Sequence, residues 1–256
     1  MYDKNHKLIY SGTSGLVLPV PNKLFFPPGF RDKSRLTYYA SLFNSLEVNS
    51  SFYKVPRAST VEKWADSVPD NFQFTFKLWK AVTHNKGLVF DPDDVRQFMQ
   101  VIGHAGNKKG CLLLQFPASI TIACAQRLTA LLETVSHLDP GHQWKVAIEF
   151  RHPSWYEKDI YGLLHVRNIN VVTHDMRPSA PSFIDSAAGW AYLRFHGPEK
   201  SYKGSYSDDF LKKYALTMNA LNKEGKSVYV YFNNTLGDAV GDLIRLNGFF
   251  QNIQET

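Results

Sequence analysis

The chain has little cysteine, no long apolar run and no charge tract, and each shortage closes a class of explanation. Its two cysteines, Cys111 and Cys124, are too few for a disulfide framework or a zinc site, so both are expected as small core residues. No apolar stretch reaches the roughly 18 residues that a membrane helix needs, and no membrane partner is expected. The opening Met1-Tyr2-Asp3-Lys4-Asn5-His6 offers no apolar export segment, which predicts a cytoplasmic location. Linker-like composition is missing as well, so a single domain over residues 1–256 is expected. The net charge of +6 is scattered along the chain, the pattern of a solvated surface more than of a phosphate-tracking stripe.

What is present is alternation. Short runs rich in β-branched and aromatic residues occupy 8–13, 45–52, 73–79, 110–117, 145–151, 170–175, 190–197 and 227–234, each with the length of a strand. Between most of them apolar residues recur at helical spacing, as with Leu36, Tyr39, Ala40 and Phe43, or Val95, Phe98, Met99 and Ile102. Helices are expected over 31–43, 59–67, 91–105, 121–136, 159–167, 207–222 and 238–246, and a loop over 176–188. Strand and helix in turn imply a parallel sheet with right-handed crossovers. Units repeating at a mean of about 30 residues favour closure into one (β/α)8 TIM barrel over an open doubly wound sheet.

The informative residues lie near the strand ends. Side chains at i and i+2 share a strand face. The pairs Glu47-x-Asn49, Thr75-x-Lys77, Glu149-x-Arg151, Thr173-x-Asp175, Arg194-x-His196 and Tyr231-x-Asn233, with Gln115, therefore point polar groups into the barrel at its C-terminal end. Phe76, Ile148, Phe150, Leu193 and Phe232 fall on the alternate face, where helices would cover them. Burying a charge costs several kcal/mol unless it is paired, so a barrel built for stability alone would carry Val, Ile and Leu here. The alternative to a site is a plug of mutually neutralising ion pairs. Tyr53, His84, His152 and Trp155 follow strand ends directly, and Trp155, Tyr53, Tyr202 and Tyr206 are expected as an aromatic rim.

Six runs in order carry a resemblance: Leu46-Glu47-Val48-Asn49-Ser50-Ser51-Phe52-Tyr53, Phe74-Thr75-Phe76-Lys77, Gln115-Phe116-Pro117, Ile148-Glu149-Phe150-Arg151-His152, Arg194-Phe195-His196-Gly197 and Tyr231-Phe232-Asn233-Asn234-Thr235. Together they resemble the YecE-like family, also called domain of unknown function 72. The resemblance spans nearly the whole chain and implies a TIM barrel without a settled reaction. It also implies a fold-level likeness to the barrels of sugar isomerases and abasic-site endonucleases, and fold does not imply function. The family commonly has Trp after Gly12-Thr13-Ser14-Gly15, where this chain has Leu16, so family contacts from that first loop are not carried over.

The leading expectation is an enzyme acting on a small polar or anionic, sugar- or phosphate-like, molecule at the barrel mouth. Glu149 or Glu47 would serve as general base or acid, with His196 and Asp175 completing the catalytic set. Lys77, Arg151 and Arg194 would hold the anion, aided by Asn49, Gln115, Asn233, Tyr53, His84 and Trp155. Glu149→Gln is expected to cost less than about 1 kcal/mol if the residue serves function rather than stability. A divalent metal on Glu47, Glu149, Asp175 and His196 is conceivable but not favoured, since three neighbouring cations repel it and no metal-motif spacing occurs. An imine-forming role for Lys77 needs an unpaired amine, and pairing with a carboxylate is the simpler expectation. The second class is a nucleic-acid-binding or -processing barrel with phosphate contacts from Lys23, Arg31, Lys54, Arg57, Lys200 and Lys203. The third is a barrel that binds without turnover.

Overall fold

The computed structural model describes residues 9–199 and 202–255. Leu8 and Lys200, named above as a strand start and a phosphate contact, lie outside them. Nine strands follow in order: β1 (Ile9–Thr13), β2 (Ser45–Val48), β3 (Gln73–Lys77), β4 (Lys109–Phe116), β5 (Lys145–Phe150), β6 (Asn170–Val171), β7 (Thr173–His174), β8 (Trp190–Phe195) and β9 (Ser227–Phe232). All their pairings are parallel. Helices α1 (Arg35–Leu42), α2 (Ser50–Tyr53), α3 (Ala58–Asp66), α4 (Lys80–Thr83), α5 (Pro92–Gly103), α6 (Ala125–Leu138), α7 (Lys158–His165), α8 (Asp208–Lys223) and α9 (Ala239–Gln254) fill the crossovers. Helices α1, α5, α8 and α9 begin where the sequence supplies caps: Ser34, Asp91, Ser207 and Asp238 each accept a backbone N–H with the side chain. No described helix is long and apolar enough to cross a membrane.

The strands form two ladders, β1-β9-β8-β7 and β2-β3-β4-β5-β6, joined at both seams into a (β/α)8 barrel. At one seam a single segment changes partner: Val172 N donates to Ile148 O at 2.8 Å, and Thr173 then pairs with Leu193. At the other, side chains replace most of the backbone ladder between β1 and β2. Asn44 accepts from Ser11 N (2.9 Å) and donates to Ile9 O (2.7 Å). Tyr39 Oη accepts from Thr13 N (2.7 Å) and donates to Ser45 O (3.1 Å). Gly12 permits this approach, because a Cβ there would overlap the Ser45 carbonyl. Only at the mouth does backbone pairing resume, Gly15 N donating to Glu47 O at 2.8 Å.

Two strand ends differ from expectation. After β2 the chain turns at once into α2, because Ser51 Oγ donates to Val48 O (2.7 Å) and Lys77 O (2.8 Å), fastening the turn to the end of β3. After β3 it turns into the short α4, which the alternation pattern does not reveal. The core divides as the period of two requires. Phe74, Phe76, Leu112, Leu114, Ile148, Phe150, Leu193, Phe195, Val230 and Phe232 pack outward under the helices. Cys111, Leu113, Ala147, Val172, Trp190, Tyr192, Tyr229 and Tyr231 fill the barrel interior. Cys124, expected in the core with Cys111, is only half-buried beside it.

Candidate functional site

Above the interior cluster the inward positions become charged. Glu47 from β2, Glu149 from β5 and Arg194 from β8 are almost wholly buried. Arg194 lies between the two carboxylates, giving Nε and Nη2 to Glu47 (2.8–3.1 Å) and Nη1 to Glu149 Oε2 (3.1 Å). Tyr192, two residues before Arg194 on the same face, donates its hydroxyl to Glu47 Oε2 at 2.5 Å. Arg151, just past β5, donates Nε to Glu149 Oε1 at 2.5 Å. Burial alone would raise both carboxyl pKa values, but the guanidiniums prevail: Arg194 holds Glu47 below its usual range, and Arg151 with Arg194 holds Glu149 well below it. Both glutamates are thus anions held by buried guanidinium partners.

His196 follows β8. Its Nε2 lies 2.8 Å from Arg151 Nη2 and 2.8 Å from Arg194 Nη1, and a guanidinium can only donate. Nε2 is therefore an acceptor and the ring proton sits on Nδ1, 3.3 Å from Asp175 Oδ1. Burial and the two arginines outweigh the pull of Glu149 and Asp175 and bring the imidazole down to about 4, so it is neutral near pH 7. Asp175 also accepts from His196 N (2.9 Å) and from the Tyr206 hydroxyl.

A cavity of about 330 Å³ opens above this network, within the range of small-ligand pockets. Its wall holds Lys77, Arg151 and Arg194 with the amides of Asn49, Gln115 and Asn233, and Phe52, Tyr53 and Tyr202 stand at its sides. No carboxylate is among its described lining residues. Asn49 Oδ1 is buried without a hydrogen-bond partner among the described residues. Lys77 Nζ rests 3.9 Å from the Phe52 ring centroid and has no hydrogen bond or ion pair among the described residues. Burial, then Arg194, lower its pKa to about 8 against the opposing pull of Glu149 and Glu47. A cavity of similar size, about 370 Å³, opens at the other end of the barrel beside Ile9, Asn44 and Phe250, and none of its described lining residues is titratable.

A family model described as "Protein of unknown function DUF72" matches residues 10–255. The chain belongs to the DUF72 family. Among relatives, the UPF0759 protein YunF of Bacillus subtilis (strain 168) is 26% identical over 268 residues, covering 92% of each chain. A DUF72 family protein of Enterococcus faecalis V583, solved by crystallography, superposes with a TM-score of 0.76 at 19% identity, over 95% of this chain and 96% of that one. A family 2 AP endonuclease from Brucella melitensis shares the fold alone, with a TM-score of 0.52 at 12% identity over 91% and 97% of the two chains.

In this DUF72 chain Lys77, Gln115, Arg151, Arg194, Asn49 and Asn233, aimed inward by the alternation argument, line the cavity, together with Tyr53, expected there because it follows a strand end. Several assignments change. Glu47, Glu149 and His196 lie beneath the wall, and none is poised as an acid: the carboxylates are held ionised by their guanidiniums, and a proton on His196 Nε2 would face two guanidiniums. Asp175 does not arise from an inward position. Val172 belongs to the interior cluster and Val171 to the outer one, so strand six is one residue out of phase with the Thr173-x-Asp175 reading. Asp175 braces His196 from the outside instead. Trp155 is no rim residue: it is fully buried, stacks on Phe150 at 4.6 Å and donates Nε1 to Ile120 O at 2.8 Å. His84 packs edge-on against the wall residue Phe52 at 4.8 Å and bonds Thr83 Oγ1 through Nδ1 at 2.8 Å, and is not itself among the described lining residues.

Tyr206, expected on the rim, is buried, while Tyr202 stays on the wall. His152 is turned aside, its Nδ1 2.8 Å from Ser154 Oγ. Ser14, Thr235 and Tyr192 join the site without having been singled out for it. Tyr192 shares the parity of Arg194 and was accessible by the same rule. Among the described residues no three His, Cys, Asp or Glu side chains gather as a metal-ligand set.

Proposed function

We propose that the barrel mouth binds a small anionic, hydroxyl-bearing molecule of sugar- or phosphate-like chemistry, and that the protein is an enzyme acting on it. One observation carries this reading: the wall presents three cations and no described carboxylate, because each glutamate of the ring turns its charge away to a buried partner. Fixed cations in a partly desolvated cleft attract a counter-charge. Of the three, Lys77 has all its N–H groups uncommitted, while the arginines spend most of theirs on Glu47, Glu149 and His196. The unpartnered Asn49 Oδ1 supplies an acceptor for a ligand hydroxyl, and Tyr53 and Tyr202 offer faces for a ring. Acid–base work near neutral pH falls to Lys77, the titratable wall residue nearest that range.

Calorimetric titration with inorganic phosphate and with simple sugar phosphates tests the reading. Binding that disappears in Lys77→Met and Arg151→Met supports it, and binding unchanged in both removes it. A nucleic-acid reading keeps one specific support: Lys23, Arg31, Lys54, Arg57 and Lys203 are exposed on segments that follow β1, β2 and β8 at the mouth end. Binding of single-stranded DNA that falls steeply with salt, with no binding of small anions, would favour that reading instead.

A further inference from the structure

The charge pattern of the mouth contains an anomaly. Three anions and three cations sit within one network, yet the neutralisation is uneven. Arg194 takes both glutamates, Arg151 takes Glu149, and Asp175 is held by His196 and Tyr206. Tyr192 occupies the remaining face of Glu47. The carboxylates are therefore used up before Lys77 is reached, and pairing, the simpler expectation from sequence, is not what the chain adopts. Lys77 extends from the last residue of β3, its stem largely buried and its Nζ set over Phe52 on the wall of the cavity. An ammonium left without a carboxylate between two guanidiniums is a poor structural element. It is a good place for an amine that must shed its proton.

We propose that Lys77 is a nucleophilic amine that forms an imine with the carbonyl group of an aldehyde or ketone whose anionic substituent lies against Arg151 and Arg194. This rests on the anion reading above and deepens it by naming the substrate class. The step balances without an oxidant or a co-reactant. The nitrogen lone pair attacks the carbonyl carbon, the carbonyl oxygen takes up a proton to give a carbinolamine, and loss of that oxygen as water leaves the C=N bond. The surroundings suit it. The neighbouring guanidiniums cannot be deprotonated and so hold the substrate's charge without competing as nucleophiles. With a pKa of about 8, roughly a quarter of the Lys77 amines carry no proton at pH 7.5, against about one in a thousand for an ordinary lysine.

Pyridoxal 5′-phosphate, an aldehyde carrying a phosphate, is the probe. The full chain is incubated with it at low concentration, reduced with borohydride and mapped by peptide mass spectrometry, with and without competing inorganic phosphate. We expect Lys77 to be modified at least about tenfold ahead of the exposed lysines, in keeping with its larger free-amine fraction. Phosphate should suppress that modification, and Lys77→Arg, shown to be folded by circular dichroism, should abolish it. Wild-type protein that binds phosphate but shows no preference for Lys77 overturns the imine and leaves the anion site standing. Preferential modification of Lys77 that phosphate does not suppress keeps the nucleophile and removes the anion site.

Discussion

Two layers of the barrel interior solve the same problem in opposite ways. The middle layer is neutral, and its tyrosine hydroxyls all have partners. Tyr231 Oη lies 2.6 Å from Ser45 Oγ and 2.7 Å from Thr75 Oγ1, and Tyr229 donates to Gln73 Oε1 at 2.6 Å. Burial pushes both phenols above their usual range, so they remain protonated donors. The layer above, one step nearer the mouth, is ionic, and there the accounting is deliberately incomplete: Lys77 and Asn49 Oδ1 are left over. A layer that only closes the barrel satisfies each polar group within itself. A layer that leaves a cation and an acceptor facing a cavity is built for something that arrives from outside.

The comparison is broken most forcefully at Arg194. Removing it by Arg194→Met strands Glu47, which has no exposure, without its guanidinium partner, and should cost about 3–5 kcal/mol in urea unfolding. Glu149→Gln follows in the same direction, since it takes the charge from beneath both arginines. This reverses the expectation of a near-neutral change, which assumed a glutamate facing the cavity. A cost within mild-substitution range for both variants would mean that the network is not what holds the layer together.

Acidification comes next. His196 and His84 are held to about 4 in the fold, while the unfolded chain takes up protons from about pH 6.5 downward. Their stabilising contribution is complete above about pH 6.5 and declines as the pH falls towards 4, with His196 contributing on the order of 2–3 kcal/mol. Urea midpoints across that range should fall before the carboxylates begin to titrate. A flat profile from pH 6.5 to 5 would contradict a neutral His196 wedged between guanidiniums.

The neutral layer should respond less. Tyr231→Phe leaves Ser45 and Thr75 to repair their own bonds and should cost about 1–2 kcal/mol, with phosphate binding unchanged. The smallest stability effect belongs to Lys77→Met: less than about 1 kcal/mol in either direction, yet with loss of phosphate binding. If Lys77→Met proved as damaging as Arg194→Met, the distinction between a satisfied layer and an unsatisfied one would collapse.

The alternation rule recovered the architecture and most of the cavity wall because β5, β8 and β9 are regular, and the register shift between β3 and β4 at Phe74–Phe76 falls before Lys77 and Gln115; on regular strands parity is decisive. It failed where the backbone is irregular. Strand six breaks at Val172 as it passes from one ladder to the other, and this shifts Asp175 off the inward face. Trp155 shows a different limit. Proximity in sequence to a strand end says nothing of whether the next turn folds over the mouth or back into the core, and Phe150 together with the Ile120 carbonyl draws this tryptophan inward. Which partner each charge takes was not legible either. Balanced signs permitted Lys77 to pair with a glutamate, and only the reach of Arg194 between Glu47 and Glu149 decides that it does not.

The most direct test of an outward-facing positive mouth is a crystal grown or soaked with sulfate. The account predicts a sulfate in the cavity with oxygens within hydrogen-bond distance of Lys77 Nζ and an Arg151 nitrogen, Glu47 and Glu149 unmoved beneath it. A mouth that stays free of anions, and in a parallel soak seats a divalent cation on Glu149 and Asp175, would contradict it.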